Sequence, residues 1–156
     1  MIKVIFICHG NICRSTMAEF VMKDLVKRNS LEESFSITSA ATSTEAIGCD
    51  VHHGTQQKLR EENIPFGHHT ARQFRASEYD DFDYILGMDS QNIRNLMKIV
   101  SGKDPDGKIL KLLSFAGGER EDIADPWYTG NFDITYEDIK KGCEAFLTKL
   151  REEGRI

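Results

Sequence analysis

The segment Ile2-Lys3-Val4-Ile5-Phe6-Ile7 constrains the fold more than any other part of the chain. It has the length of a strand, is dominated by β-branched side chains, and is almost uninterrupted by polar residues, the pattern of a strand covered on both faces in a parallel sheet. Such a strand needs helices above and below it, so it is read as the first and central strand. It runs directly into Cys8-His9-Gly10-Asn11-Ile12-Cys13-Arg14-Ser15. Ser15 and Thr16 are N-cap candidates, Glu19 follows at about capping-box distance, and Ala18, Val21 and Leu25 recur at helical spacing. The opening of the chain therefore predicts strand, tight loop and helix in succession.

The same alternation continues. Phe35 to Ser39 predicts a second strand and Gly54 to Glu62 a helix that stops at Asn63, before Ile64-Pro65. Asp83 to Met88 predicts a third strand. Asp89 to Val100 carries Ile93, Leu96, Met97 and Val100 at helical spacing, with Asp89 as its N-cap. The turn Asp104-Pro105-Asp106-Gly107 precedes a fourth strand at Lys108 to Phe115, and Ile139, Cys143, Phe146, Leu147 and Leu150 form the buried face of a last helix over Thr135 to Glu152. Strands alternating with helices imply βαβ units with right-handed crossovers, hence an α/β domain in which helices flank a parallel sheet. In such sheets ligands bind beyond the carboxyl ends of the strands, where the loop from Cys8 to Ser15 falls.

The 156 residues suit one domain, residues 1–156, since domain sizes cluster at about 100–150 residues. A net charge of −5 argues against general binding to nucleic acid, so any anion site is local. No stretch is long and apolar enough to cross a bilayer, and Val4 to Ile7 is too short for a signal sequence and ends in Cys-His-Gly, which points to a cytoplasmic protein without membrane attachment. The four cysteines, Cys8, Cys13, Cys49 and Cys143, need not form a disulfide framework in a chain that can build its own core. They also lack the spacing of a zinc site, and neither His52-His53 nor His68-His69 has partners at ligand spacing, so no metal is expected. Cys49 and Cys143 are read as core residues, and His52, His53 and His68 as surface or packing residues.

The chemistry concentrates in the first loop. A connection between a strand and a helix N-terminus turns successive backbone N–H groups, here those of His9, Gly10, Asn11, Ile12, Cys13 and Ser15, toward one point beside the positive end of the helix dipole. Gly10 and Asn11 tolerate the left-handed backbone that such a turn requires. Arg14 adds a permanently charged fork that can hold two phosphate oxygens at once. Cys8 at the mouth of this electropositive loop is favoured as a thiolate, placed for in-line attack on a bound phosphoryl group. The Ser15 hydroxyl can donate to that sulfur and help it leave. Protonating the departing ester oxygen requires an acid that the loop does not contain.

Cys-x5-Arg, filled as Cys8-His9-Gly10-Asn11-Ile12-Cys13-Arg14-Ser15, resembles the low-molecular-weight protein tyrosine phosphatases. The resemblance extends to Phe82-Asp83-Tyr84-Ile85-Leu86-Gly87-Met88-Asp89 and to Asp125-Pro126-Trp127-Tyr128, in the family's order and separation, and so covers nearly the whole chain. It implies a four-stranded parallel sheet flanked by helices in a three-layer, flavodoxin-like domain, and hydrolysis of protein phosphotyrosine through a phosphocysteine without metal or organic cofactor. It implies that Asp125 supplies the missing proton and acts next as general base on the hydrolytic water, that Ser39 and His69 support Asn11, that Trp127 and Tyr128 wall the cleft, and that Cys13 can form a reversible disulfide with Cys8. Its implied partners are phosphotyrosine-bearing proteins, with a tyrosine kinase and its targets. Three positions depart from the pattern: Thr16 stands where proline is usual, Ala40 where glycine commonly follows the serine, and Glu45 where many relatives have tryptophan at the edge of the cleft.

Other readings fit less of the chain. A phosphoarginine phosphatase is the nearest alternative, but relatives with that preference carry threonine where this chain has Ile12. Arsenate reductases need downstream resolving cysteines, and none occurs near residues 80 to 90. A rhodanese-type sulfurtransferase or a phosphocysteine carrier has no use for Asp125 as an acid, and the Gly-Lys-Ser/Thr of a nucleotide-binding loop is missing.

Overall fold

The structure, a computed structural model, describes residues 1–156. Strand β1 (Ile2–Cys8) pairs in parallel with β2 (Phe35–Ala41) on one side and β3 (Tyr84–Gly87) on the other, and β3 pairs in parallel with β4 (Ile109–Lys111). The sheet order is β2-β1-β3-β4, so the first strand is internal, as its unbroken apolar run requires. Side chains alternate across it: Ile2, Val4, Phe6 and Cys8 join one core cluster, and Ile5 and Ile7 join the other. The first cluster is covered by helices α1 (Arg14–Arg28) and α5 (Phe132–Glu152), and the second by α3 (Ser90–Ile99). Helix α2 (His53–Glu61) adds Leu59 to the first cluster, and a single turn, α4 (Pro126–Thr129), precedes α5.

This arrangement puts the topological switch point between β1 and β3. The chain leaves β1 toward one layer and leaves β3 toward the other, and the crevice between their carboxyl ends is formed by residues 8–15 and by Met88-Asp89.

Several expectations shift. The fourth strand ends at Lys111, not Phe115: residues Leu112–Ala116 wind into a 3₁₀ turn in which the Ser114 hydroxyl donates to Lys111 O (2.6 Å), closed by left-handed Gly117. That turn packs against α5 at Gly142, where a Cβ would lie 2.8 Å from Leu112 Cγ. Helix α1 begins at Arg14 with Cys13 as a cap that makes no side-chain bond, because both hydroxyls expected to cap it are directed elsewhere. Thr16 donates back to Ile12 O and Cys13 O (3.0 Å each), and Ser15 faces Cys8. Helix α5 starts at Phe132, capped by Asn131, whose side chain accepts from Ile134 N–H. Cys143 is buried, but Cys49 is exposed on a loop held by its backbone, Cys49 N–H to Ala46 O and Ala71 N–H to Cys49 O.

Candidate active site

The loop after β1 is held by its carbonyls. Cys8 O accepts from Thr42 N–H, His9 O from Ser43 N–H and the Ser43 hydroxyl, Ile12 O from His52 N–H, and Cys13 O from Met17 N–H and the Thr55 hydroxyl. With these four carbonyls turned outward to the scaffold, the N–H groups of His9, Gly10, Ile12, Cys13, Arg14 and Ser15 donate to no other protein group. Only Asn11 N–H is engaged, 3.3 Å from the sulfur of Cys8. The result is a ring of free amide donors at the start of a 15-residue helix, an anion cradle in its backbone alone. Asn11 supplies the left-handed residue of this turn (φ 59°); Gly10 does not adopt a positive φ, and a Cβ there would meet only ordinary contacts, so the expectation of a left-handed backbone holds for Asn11 alone.

A buried polar network fixes Asn11 and sets proton directions. Its amide nitrogen donates to Ser15 Oγ (2.8 Å) and to Ser39 Oγ (2.9 Å), and its amide oxygen accepts from His69 Nε2 (2.8 Å) and Arg72 N–H (3.3 Å). Ser39 in turn donates to Glu19 Oε1 (2.6 Å), and Lys23 Nζ donates to Glu19 Oε2 (2.6 Å). Ser15 Oγ accepts from Asn11 and, at 3.1 Å, from the Cys8 thiol. Once that thiol has lost its proton, the serine's own proton is the one left to bridge the two groups. Ala40 does not disturb this support, and Glu19, expected as part of a helix-capping pattern, is instead a buried acceptor within the network.

Arg14 is 2% exposed, with its guanidinium at the crevice between β1 and β3. Nη1 donates to Asp89 Oδ2 (2.6 Å) and to Ile123 O (2.8 Å), and Nη2 lies 3.4 Å from Asp125 Oδ2. Burial opposes its charge, but the Cys8 sulfur, Asp89 and Asp125 outweigh burial and raise its pKa above the ordinary value. Asp89 does what was expected, accepting from Asn92 N–H at the start of α3, and also orients Arg14, a role not read from the sequence. Asp125 is likewise both a cap and a site residue. Its Oδ1 accepts from Trp127 N–H (3.1 Å), leaving Oδ2 facing Arg14.

Cys8, His9, Gly10, Ile12, Cys13, Arg14, Asp125, Trp127 and Tyr128 converge on one cavity of about 220 Å³, together with Glu45 and Ala46. Trp127 and Tyr128 are 61% and 82% exposed and form an open aromatic wall. Behind them, His52 stacks on Phe132 and meets Trp127 edge-on. At the mouth, His9 Nε2 contacts Glu45 Oε2 (2.8 Å). Cys13 is buried beside the site as a free thiol, and burial, with Cys8 and Asp125, pushes it up to about 12, so it stays protonated.

The model of the low molecular weight phosphotyrosine protein phosphatase family matches residues 3–156. The chain is 41% identical to low molecular weight protein-tyrosine-phosphatase YfkJ of Bacillus subtilis over the full length of both. The crystal structure of YfkJ superposes with a TM-score of 0.93, covering 98% of this chain and 96% of that one at 42% identity. The low molecular weight protein tyrosine phosphatase SP-PTP of Streptococcus pyogenes gives 0.83 at 40% identity over 96% and 93% of the two chains, and the drosophila arginine phosphatase DARP gives 0.88 at 33% over 96% and 98%. With sequence, fold and the convergence of the first loop on Asp125 in agreement, the chain belongs to the low molecular weight phosphotyrosine protein phosphatase family.

Proposed function

We propose that this protein hydrolyses phosphotyrosine in proteins through a phosphocysteine intermediate, with Cys8 as nucleophile, Arg14 as phosphate ligand and Asp125 as general acid and then base. The observation that carries this reading is the placement of the Cys8 sulfur beside Asn11 N–H and the Ser15 hydroxyl, in a ring of unpaired amides, in the same cavity as Asp125. A phosphate dianion in that ring accepts from the amides and from Arg14 Nη2, which needs only to exchange its 3.4 Å contact with Asp125 for phosphate oxygen. The thiolate attacks phosphorus, the P–O bond to the leaving group breaks, and the proton on Asp125 Oδ2 passes to the leaving oxygen. In the second step Asp125 takes a proton from water as that water attacks phosphorus. The P–S bond breaks, and the thiolate leaves with the Ser15 hydroxyl as hydrogen-bond donor.

The aryl preference rests on the walls of the site. Ile12, Trp127 and Tyr128 offer apolar and aromatic surface on which a phosphotyrosine ring can stack, whereas a phosphoarginine guanidinium gains little from Ile12. The partners proposed are phosphotyrosine-bearing proteins, the products of a tyrosine kinase, and the setting is the cytoplasm. No helix is long and apolar enough to cross a membrane.

Initial rates on p-nitrophenyl phosphate, a phosphotyrosine peptide and a phosphoarginine peptide, in EDTA, test the reading. The expected result is metal-independent turnover, faster on phosphotyrosine than on phosphoarginine, that falls by at least about 10⁴-fold in Cys8→Ser. Turnover that survives Cys8→Ser refutes the mechanism, and a preference for phosphoarginine refutes the substrate.

A further inference from the structure

Asp125 stands at the end of a segment, residues 120–125, that belongs to no helix or strand, yet an acid must be held to within about 0.5 Å of its working position. The segment is pinned from two sides in alternation. Toward the sheet, Ile123 N–H donates to Met88 O (2.9 Å) and Ile123 O accepts from Arg14. Toward α5, the carbonyls on either side of Ile123 are taken. Ala124 O accepts from the Thr135 hydroxyl (2.9 Å), and Asp122 O accepts from Arg120 Nη1 (3.0 Å). That guanidinium is fixed in a two-pronged pair with Asp138, Nη1 to Oδ2 at 2.6 Å and Nη2 to Oδ1 at 3.0 Å. Thr135 and Asp138 are three residues apart on one face of α5, and both are buried.

The pins on the sheet side are shared with the phosphate cradle, since Arg14 serves both. The pins on the α5 side touch nothing in the cradle. The Arg120 side chain of this pair is 62% exposed, and an ion pair open to solvent on one side adds little to stability. The bond to Ala124 O acts on the peptide group that immediately precedes Asp125. We infer that Thr135 and the Arg120–Asp138 pair are positioning residues for the general acid: they fix the backbone on which the Asp125 carboxyl is aimed at the leaving oxygen. This inference rests on the reading of Asp125 as the acid.

The test compares kcat/KM, which reads the first phosphoryl transfer, on aryl phosphates running from the good leaving group 2,4-dinitrophenol to the poor one, phenol. A good leaving group departs without a proton and a poor one does not. The variants are Thr135→Val, of similar volume without the hydroxyl, Asp138→Asn, and the conservative Thr135→Ser, with a melting curve for each. Thr135→Val and Asp138→Asn are expected to lose about 10- to 100-fold on phenyl phosphate but less than about threefold on 2,4-dinitrophenyl phosphate, with Thr135→Ser close to wild type. An equal loss on every ester, or none, overturns the positioning role. Asp125→Asn is the reference and is expected to show the steepest dependence on the leaving group. If its losses are the same on all esters, the acid assignment itself has failed and takes this inference with it, an outcome distinguishable from a steep Asp125→Asn beside uniform losses in the α5 variants.

Discussion

The two halves of the site are built in opposite ways. The cradle from Cys8 to Ser15 is contiguous in sequence, its side chains at Cys8, Asn11, Cys13, Arg14 and Ser15 are buried, and both side-chain polar atoms of Asn11 have partners. The other half carries Asp125, the proposed acid, with Trp127 and Tyr128 on an irregular segment and a four-residue helix, its aromatic side chains largely in solvent, and is held from outside by Met88, α5 and Arg14. Binding a phosphate with fixed amides requires a backbone that does not move, and a unique buried network supplies that. Delivering a proton to differently shaped esters requires one placed carboxyl beside an open wall.

The comparison breaks most visibly at Asp125. Asp125→Asn is expected to lose about 10²- to 10⁴-fold in kcat while inhibition by inorganic phosphate is retained or tightened, because the cradle does not depend on it. Loss of phosphate binding in parallel, measured by competitive inhibition, contradicts the separation of the halves. Next comes stability. Asn11→Ala places a Cβ-bearing residue without a polar side chain at φ 59° and strands the Ser15, Ser39 and His69 partners, at a cost of about 2–4 kcal/mol in urea unfolding. Tyr128→Ala on the exposed wall costs less than about 0.5 kcal/mol. Similar losses for the two variants contradict the contrast.

Smaller effects sharpen it. Iodoacetamide at mildly alkaline pH is expected to modify exposed Cys49 and spare Cys13, whose burial keeps it a thiol up to about 12; peptide mass mapping reads the outcome. Asp50 supports the cradle from outside, its Oδ1 accepting from His69 N–H (2.9 Å) and Val51 N–H (2.7 Å), bonds that hold its pKa below 3.8. A lowered folded-state pKa stabilises above the unfolded value, and the gain is lost as pH falls through the folded one. Asp50→Asn therefore lowers the melting temperature at neutral pH, and its melting curve approaches that of wild type below pH 3.8. A difference independent of pH contradicts this role.

Legibility in the sequence follows the same division. The strand, the cradle and the helix after it could be read from residues 2 to 28 because local pattern and local chemistry agree there, and Asn11 takes the left-handed turn as expected. The need for an acid is legible in the chemistry, and Asp125 is proposed for it through the Asp-Pro-aromatic-aromatic pattern. The contacts that hold its segment are not legible: Thr135, Asp138 and Arg120 meet that segment only after α5 has packed, and nothing in their spacing announces it. Asp89 reads as the cap it is, but its bond to Arg14 depends on β1 and β3 becoming neighbours. Glu19 reads as part of a helix-start pattern because its partner Ser39 lies on β2, far away in sequence. The fourth strand reads longer in the sequence than it is in the fold, since an apolar run looks alike whether it stays extended or winds into a turn against α5.

The central claim is that phosphorus passes through the sulfur of Cys8. The direct measurement is rapid acid quench of Asp125→Asn during turnover of p-nitrophenyl phosphate, followed by peptide mass mapping. The account predicts one phosphoryl group on the peptide that contains Cys8, and none in the Cys8→Ser, Asp125→Asn double variant. A phosphoryl group on His9 or on any other residue, or continued turnover with Cys8 unmodified throughout, contradicts it.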